Sequence, residues 1–237
     1  MSNRFYQPGE QHGAKVNDLF AKIAPRYDLI NDLQSFGLHR YWIRRLLHLA
    51  NVKPGDRALD ICCGTGDISF GLARLGADVV GLDFSEPMLC VARDRSGKAP
   101  YRKPLFIEGD AQQLPFDDAT FEIVTVGYGL RNLPNWERGL DEMWRVAKPG
   151  ARILVLDFGK PDNALWRSIY FSYLRWFVPV FGKLFCGDSA THAYILESLK
   201  NYPAQRGVAE KMQKLSCKNV RVVNFLGGVM SINYGEK

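Results

Sequence analysis

The sequence predicts an α/β fold: a seven-stranded, mostly parallel sheet flanked by helices. Three observations carry that prediction. Short apolar runs alternate with helix-patterned stretches between residues 57 and 159, the signature of a parallel sheet with crossover helices. The first apolar run feeds into paired glycines, Gly64 and Gly66, that open a helix. An acid, Asp83, closes the second run.

Residues 15–50 carry helical patterning, first in KVNDLFAKIAPRYDLINDLQSF and then in HRYWIRRLLHLA. Apolar positions recur there at three- and four-residue spacing, and Pro25 breaks the first helix. VKPGD is a turn signal that starts the α/β body. RALDIC (57–62) reads as the first strand and DISFGLARLG (67–76) as a helix stopped by Gly76. ADVVGLD (77–83) is the second strand. SEPMLCVARDR (85–95) has Ser85 as N-cap and Pro87 in its first turn, a helix start. PLFIEGD (104–110) and FEIVTVG (121–127) are the third and fourth strands. NWERGLDEMWRVAKPG (135–150) is a helix with a Pro-Gly stop, and ARILVLDFG (151–159) is the fifth strand. An aromatic segment over 162–200 then interrupts the alternation as an inserted helical cap. A helix near 203–215 and two closing strands complete the chain. The expected division is a helical extension over 1–50 and a domain over 51–237, with the insert at about 162–202.

The 237 residues suffice for one large domain. Hydrophobic residues make up 46% and charged residues 24%, an ordinary globular balance that buries a full core. The net charge of +6 admits nucleic acid, anionic lipid or acidic substrates; the charges are scattered, so nucleic acid is not expected. Five cysteines without CxxC spacing argue against a disulfide framework or a zinc site, and no metal is expected. The start, MSNRFYQPGEQHGAK, has no apolar core of a signal peptide, which makes the cytoplasm the expected compartment. The apolar stretch 164–185 is interrupted by Arg167, Arg175, Lys183 and Pro179, which argues against a membrane span.

LDICCGTGD (59–67) is the first stretch that carries chemistry. Gly64 and Gly66 let backbone approach a ligand, and the helix they open offers free N–H groups. Asp83 is placed to accept hydrogen bonds from ribose hydroxyls. A dinucleotide fingerprint needs a third glycine, which is absent here. Asp60 precedes the loop instead, and the spacing D-x-x-x-G-x-G resembles the S-adenosylmethionine loop of class I methyltransferases. Cys62 stands where that motif usually has its first glycine. In GDAQQLPF (109–116), Asp110 matches the acid of that class that meets the adenine amino group, beside the Ala111 amide.

Three further stretches resemble one family, the menaquinone and ubiquinone C-methyltransferases: YDLINDLQSFGLHRYW (27–42), GYGLRN (127–132) and LDEMWRVAKPGARILVLDFGKP (140–161). The resemblance runs from Phe20 to the end. It departs at CCGTG, at Tyr128, where many members have phenylalanine and phylloquinone-type members are similar to this chain, and over 162–202. The resemblance implies a class I methyltransferase (Rossmann-like) fold and S-adenosylmethionine contacts at Thr65, Asp83, Asp110, Ala111 and Gly127. It also implies a prenylated hydroquinone as methyl acceptor, demethylmenaquinol first, with a demethylphylloquinol or a methoxybenzoquinol as alternatives.

Arg131 follows the fourth strand, at the sheet edge where open α/β sheets bind ligands. A ring carbon becomes nucleophilic when its neighbouring hydroxyl loses a proton, and Arg131 is suited to hold the developing phenolate, with Asn132 orienting it. The competing reading of Arg131 is a salt bridge to Asp141 or Glu142. Arginine keeps its own proton, so another group must accept the quinol proton; Tyr27, Asp28 and His39 are the candidates, in a segment expected to close over the ligand. Phe171, Tyr173, Trp176, Phe177, Val178 and Phe181 suit an isoprenoid tail. Arg167, Arg175 and Lys183 suit anionic headgroups and a peripheral membrane contact. A homodimer stays open. The other readings are a different acceptor, a nicotinamide oxidoreductase, and a non-catalytic scaffold with a vestigial pocket.

Overall fold

The computed structural model describes residues 24, 27–97, 101–179 and 190–237. Seven strands form one sheet: β1 (Arg57–Ile61), β2 (Asp78–Asp83), β3 (Leu105–Glu108), β4 (Phe121–Gly127), β5 (Ala147–Phe158), β6 (Lys218–Phe225) and β7 (Met230–Glu236). Their spatial order is β3-β2-β1-β4-β5-β7-β6. The first five pair in parallel, and β7 pairs antiparallel with both β5 and β6. Chain order reverses between β1 and β4, which makes the carboxyl ends of those two strands the crevice where ligands bind in open α/β sheets.

Eight helices accompany the sheet among the described residues: α1 (Tyr27–Ser35), α2 (Leu38–Ala50), α3 (Asp67–Arg74), α4 (Glu86–Ser96), α5 (Trp136–Val146), α6 (Ala164–Trp176), α7 (Ala190–Asn201) and α8 (Ala204–Lys214). The expected alternation therefore holds from β1 to β5. Pro25 and residues 15–23 of the expected first helix lie outside the described residues.

Two hydrophobic clusters cover the two faces of the sheet. On α2, Trp42, Leu46 and Ala50 fall at four-residue spacing and pack with Ala58, Ile68 and Ile232. The helical extension thus shares a core with the α/β body. On the other face, Leu140 and Met143 of α5 join Tyr170 and Leu174 of α6, Leu199 of α7 and Val208 of α8. Full burial of such side chains contributes roughly 1.5–3 kcal/mol each, so the inserted helices are anchored to the core.

One boundary differs from expectation. The helix expected to run to Gly150 ends at Val146, and β5 begins at Ala147. Pro149 cannot continue the helical hydrogen bonding. The segment instead extends along β4, with Phe121 opposite Ala147 and a register shift before Ile123 meets Arg152. Among the described residues no helix is long and apolar enough to cross a membrane.

Candidate active site

The glycine loop follows β1 and is fixed from three sides. Cys63 N–H donates to the Leu82 carbonyl at 3.0 Å, which ties the loop to β2. Gly64 N–H donates to Asp83 Oδ2 at 2.7 Å, and Ser85 N–H donates to Asp83 Oδ1 at 2.9 Å. Arg95 of α4 donates to the Thr65 carbonyl at 2.9 Å and pairs with Asp67 at 2.6 Å. Gly66 has φ +91°, and a Cβ there would fall 2.9 Å from the Phe106 ring, so no other residue fits the turn.

Asp60 is buried at the end of β1. The Ser69 hydroxyl donates to Oδ2 at 2.6 Å and the Thr125 hydroxyl to Oδ1 at 2.8 Å. Burial lifts its carboxyl from the ordinary 3.8 to about 7, against those two hydrogen bonds. Burial likewise raises the Asp83 carboxyl, against the bonds from Ser85 and Gly64. Asp60, in the wall of a small cavity over the glycine loop, is poised to welcome a cationic ligand, whose charge offsets the desolvation.

At the neighbouring strand end, Arg131 and Asn132 form a 3₁₀ turn with Leu130. Arg131 is buried, and its partner is Asp157 near the end of β5, Nη1 to Oδ1 at 2.7 Å. The Arg131 N–H adds a second bond to Asp157 Oδ2 at 3.2 Å. Arg131 also donates to the Tyr128 carbonyl, as does Asn132 Nδ2 at 3.2 Å. The guanidinium lies over the Phe158 ring, 4.7 Å from its centroid. Neither acid expected as a competing partner is involved: Asp141 pairs with Lys211 and Glu142 with Arg145.

Two cavities meet at this edge. The smaller, about 40 Å³, lies over the glycine loop and is walled by Asp60, Gly64, Thr65, Asp67 and Gly127. The larger, about 390 Å³, is walled mainly by apolar side chains such as Ile30, Trp42, Phe158, Val178 and Met230, with Arg131 in its lining. Tyr27, Asn31, His39 and Tyr128 belong to both walls. Burial raises the Tyr27 phenol, against an Asn31 hydrogen bond and the Arg131 charge, so its hydroxyl keeps its proton at neutral pH and acts as a donor. His39 is buried, with Nδ1 3.0 Å from the Ser35 hydroxyl.

The predicted residues thus divide into groups. Asp60, Gly64, Thr65, Gly127, Tyr27 and His39 converge on the small cavity, and Tyr27, His39 and Arg131 reach the large one. Gly66 forms the turn behind the loop. Asp83, Asp110 and Ala111 lie at the carboxyl ends of β2 and β3, along the same sheet edge but outside the small cavity's wall. Asp110 is exposed, and its Oδ1 accepts from Gln112 N–H at 2.8 Å. Asp28 falls within α1, its side chain outside the described residues. Of the residues assigned to a tail, Tyr173 and Val178 line the large cavity; Phe171 packs against the core. Trp176 and Phe177 are exposed, and Phe181 and Lys183 lie outside the described residues. Sequence reasoning missed Asp157, Thr125, Ser69 and Arg95. Thr125 carried a signal: it is the one hydroxyl in an apolar strand, in register with Asp60.

Solved structures share this architecture. A SAM-dependent methyltransferase of Thermotoga maritima, titled a possible histamine N-methyltransferase, aligns with a TM-score of 0.62 at 19% identity, over 93% of this chain and 99% of that one. A SAM dependent methyltransferase of Aquifex aeolicus aligns with a TM-score of 0.59 at 18% identity, over 82% and 88%. At these identities the likeness defines the fold class, the class I methyltransferase (Rossmann-like) fold. Within that class, the model of the ubiE/COQ5 methyltransferase family matches residues 9–237, and the chain belongs to that family. Demethylmenaquinone methyltransferase of Bacillus cereus (strain ATCC 10987 / NRS 248) is 37% identical over 226 residues, 94% of this chain and 95% of its own. The enzyme of the same name from Bacillus anthracis (strain CDC 684 / NRRL 3495) matches to the same extent.

S-adenosylmethionine is therefore the cofactor. The residues present fit it: Asp60 and Asp67 give the small cavity an acidic wall, which suits the cationic sulfonium and ammonium groups.

Proposed function

We propose that this enzyme methylates a ring carbon of a prenylated demethylnaphthoquinol, the conversion of demethylmenaquinol to menaquinol. One observation carries the reading: an acid-walled cavity over the glycine loop and a larger, apolar one share the wall formed by Tyr27, Asn31, His39 and Tyr128. A cationic methyl donor on one side then faces an apolar ring and tail on the other. The names of the Bacillus relatives support a demethylmenaquinone-type acceptor.

The cofactor supplies an electrophilic methyl on a sulfonium sulfur. Asp60 and Asp67 hold its cationic end, Gly64, Thr65 and Gly127 let backbone come close, and Asp83, Asp110 and Ala111 serve the ribose and adenine along the sheet edge. Tyr27 and Arg131 donate to the quinol oxygen next to the reacting carbon, stabilising the charge that develops there, while Asn132, outside the cavity lining, braces the turn through the Tyr128 carbonyl. The Arg131 charge is shared with Asp157, so its contribution is directional hydrogen bonding rather than an unscreened field. His39 and Asp28 are the groups through which the quinol proton leaves. The ring carbon gives its electron pair to the new C–C bond and loses its own proton to regain aromaticity, the ring oxygen takes one proton back to restore the hydroquinol, and the overall reaction releases one proton.

Helix α1 acts as the lid of this site. Tyr27 Cε1 lies 4.0 Å from the position a Cβ on Gly64 would take, and about 40 Å³ is little more than the space of a water or two. Cofactor entry thus moves α1. A peripheral membrane contact fits the same face: Phe36 and Leu226 are exposed at the cavity mouth, as are Trp166 and Ile169 of α6. Sedimentation with anionic and neutral liposomes at low and high salt tests it; no binding under any condition removes the membrane contact.

The substrate test is methyl transfer from labelled S-adenosylmethionine to three reduced acceptors: a demethylnaphthoquinol with an isoprenyl tail, the same ring with a phytyl tail, and a methoxybenzoquinol. Preferential transfer to the first is expected. Tight cofactor binding with no transfer to any of them would replace the quinol reading with another acceptor or a scaffold.

A further inference from the structure

Tyr170 of α6 lines the large cavity and is only 5% exposed, yet its hydroxyl has no hydrogen-bond partner. A buried hydroxyl left without a partner opposes folding, and native proteins keep few of them. Tyr202, after α7, is its counterpart: 3% exposed, its hydroxyl also unpartnered, and not part of the cavity wall. Both phenols feel the charges of Arg131 and Asp157. Other shielded atoms in the large cavity's wall without partners include Gln34 Nε2 and the Tyr128 hydroxyl. Those two side chains are less buried than Tyr170, and Tyr128 also faces the cofactor side.

A hydroquinone carries two ring oxygens on opposite sides of the ring. In the proposed reading, donors at Tyr27 and Arg131, both in the large cavity's wall, serve one of them. In an apolar cavity the second oxygen would be stranded without its own partner. We propose that the Tyr170 hydroxyl is a substrate ligand that donates to this second ring oxygen, so that the inserted helix α6 selects a 1,4-dioxygenated aromatic ring. The inference rests on the quinol reading of the site. It explains why an otherwise packed tyrosine keeps an oxygen that a phenylalanine would omit. Burial raises the Tyr170 phenol strongly, which keeps the O–H as a donor over the working pH range.

Removing only the oxygen tests it. Tyr170→Phe and Tyr202→Phe are compared with the intact chain by thermal unfolding and by KM for a prenylated 1,4-naphthoquinol. A prenylated 1-naphthol, which lacks the second oxygen, serves as competitive inhibitor. Tyr170→Phe is expected to keep or raise Tm by about 2–4 °C, the shift that relief of one orphaned hydroxyl gives in a chain of this size. Its KM for the naphthoquinol is expected to rise about 3- to 10-fold, the worth of one hydrogen bond, with the naphthol Ki unchanged. Tyr202→Phe is expected to keep or raise Tm and leave KM alone. An unchanged KM in Tyr170→Phe, or a Tm lower by several degrees, overturns the assignment. If the intact chain neither methylates nor binds the naphthoquinol, the quinol reading itself has failed and this inference falls with it.

Discussion

Arg131 Nη1 and Asp157 Oδ1 stand 2.7 Å apart, with both side chains almost wholly buried. The pair joins the turn after β4 to the end of β5, and it fixes the one arginine that lines the large cavity among the described residues. Removing one partner strands a buried charge, which costs about 3–5 kcal/mol, whereas replacing both with apolar groups is close to neutral. Arg131→Met is therefore expected to lose stability on that scale, and Arg131→Met with Asp157→Leu to recover most of it. Both variants are expected to lose about 10²–10³ in kcat, the effect of deleting a transition-state donor. Urea unfolding and steady-state kinetics measured together check this: recovery of activity along with stability would show that the pair is structural only.

The Asp60 carboxyl, lifted to about 7 by burial, makes a pH prediction. The folded chain holds a proton that the unfolded chain releases above about pH 4. This contribution to stability is fully present below the unfolded value and is lost as pH rises toward about 7. Asp60→Asn removes it. The Tm of that variant relative to the intact, cofactor-free protein is expected to climb between those limits and level off above them. Cofactor affinity of the intact protein, by calorimetry, is expected to rise over the same range, because a cation favours the ionised acid. A flat Tm difference would refute the assignment.

Asp83 organises the loop through Gly64 and Ser85, and in the proposed reading it also serves the cofactor's ribose. Asp83→Ala is expected to weaken S-adenosylmethionine binding about 10- to 100-fold, the range for losing hydrogen bonds to a charged acceptor. Isothermal titration measures it directly; a change below threefold would place the cofactor elsewhere.

Gly129 packs on the loop through its missing side chain. A Cβ there would fall 2.3 Å from the Cβ of Cys62 and 2.9 Å from its sulfur. Cys62 is itself in the left-handed region at φ 51°. Gly129→Ala is expected to destabilise by about 1–3 kcal/mol through overpacking. Adding Cys62→Gly removes the clashing atoms and the strained residue together, and is expected to restore most of that loss. Additive destabilisation in the double variant would deny that this contact couples the two turns.

Most of the fold was legible because its signals are local. Apolar runs ending in glycines mark parallel strands, and Gly64, Gly66 and Asp83 mark the ligand end of the sheet. The helix ending at Val146 was overextended because its apolar spacing continues smoothly into a strand that the same residues also suit. Arg131 was legible as a strand-end arginine, but its partner was not. Asp157 is 26 residues away and reads as an ordinary acid closing a strand; only the parallel register, with Gly127 opposite Leu156, brings it alongside. The faces of α6 were equally hidden: sequence alone could not tell that Tyr173 lines the cavity while Trp176 and Phe177 face outward. Tyr170 carried no signal of its own in the sequence, since an orphaned hydroxyl is visible only once its neighbours are placed.

The most direct measurement of the central claim is where the methyl lands. S-adenosylmethionine carrying a ¹³C-methyl is turned over with a prenylated demethylnaphthoquinol, and the product is examined by NMR before and after mild oxidation. A ring C-methyl is predicted, in a product that oxidises cleanly to a quinone. Label in an aryl methyl ether, which blocks that oxidation, would contradict carbon methylation at this site.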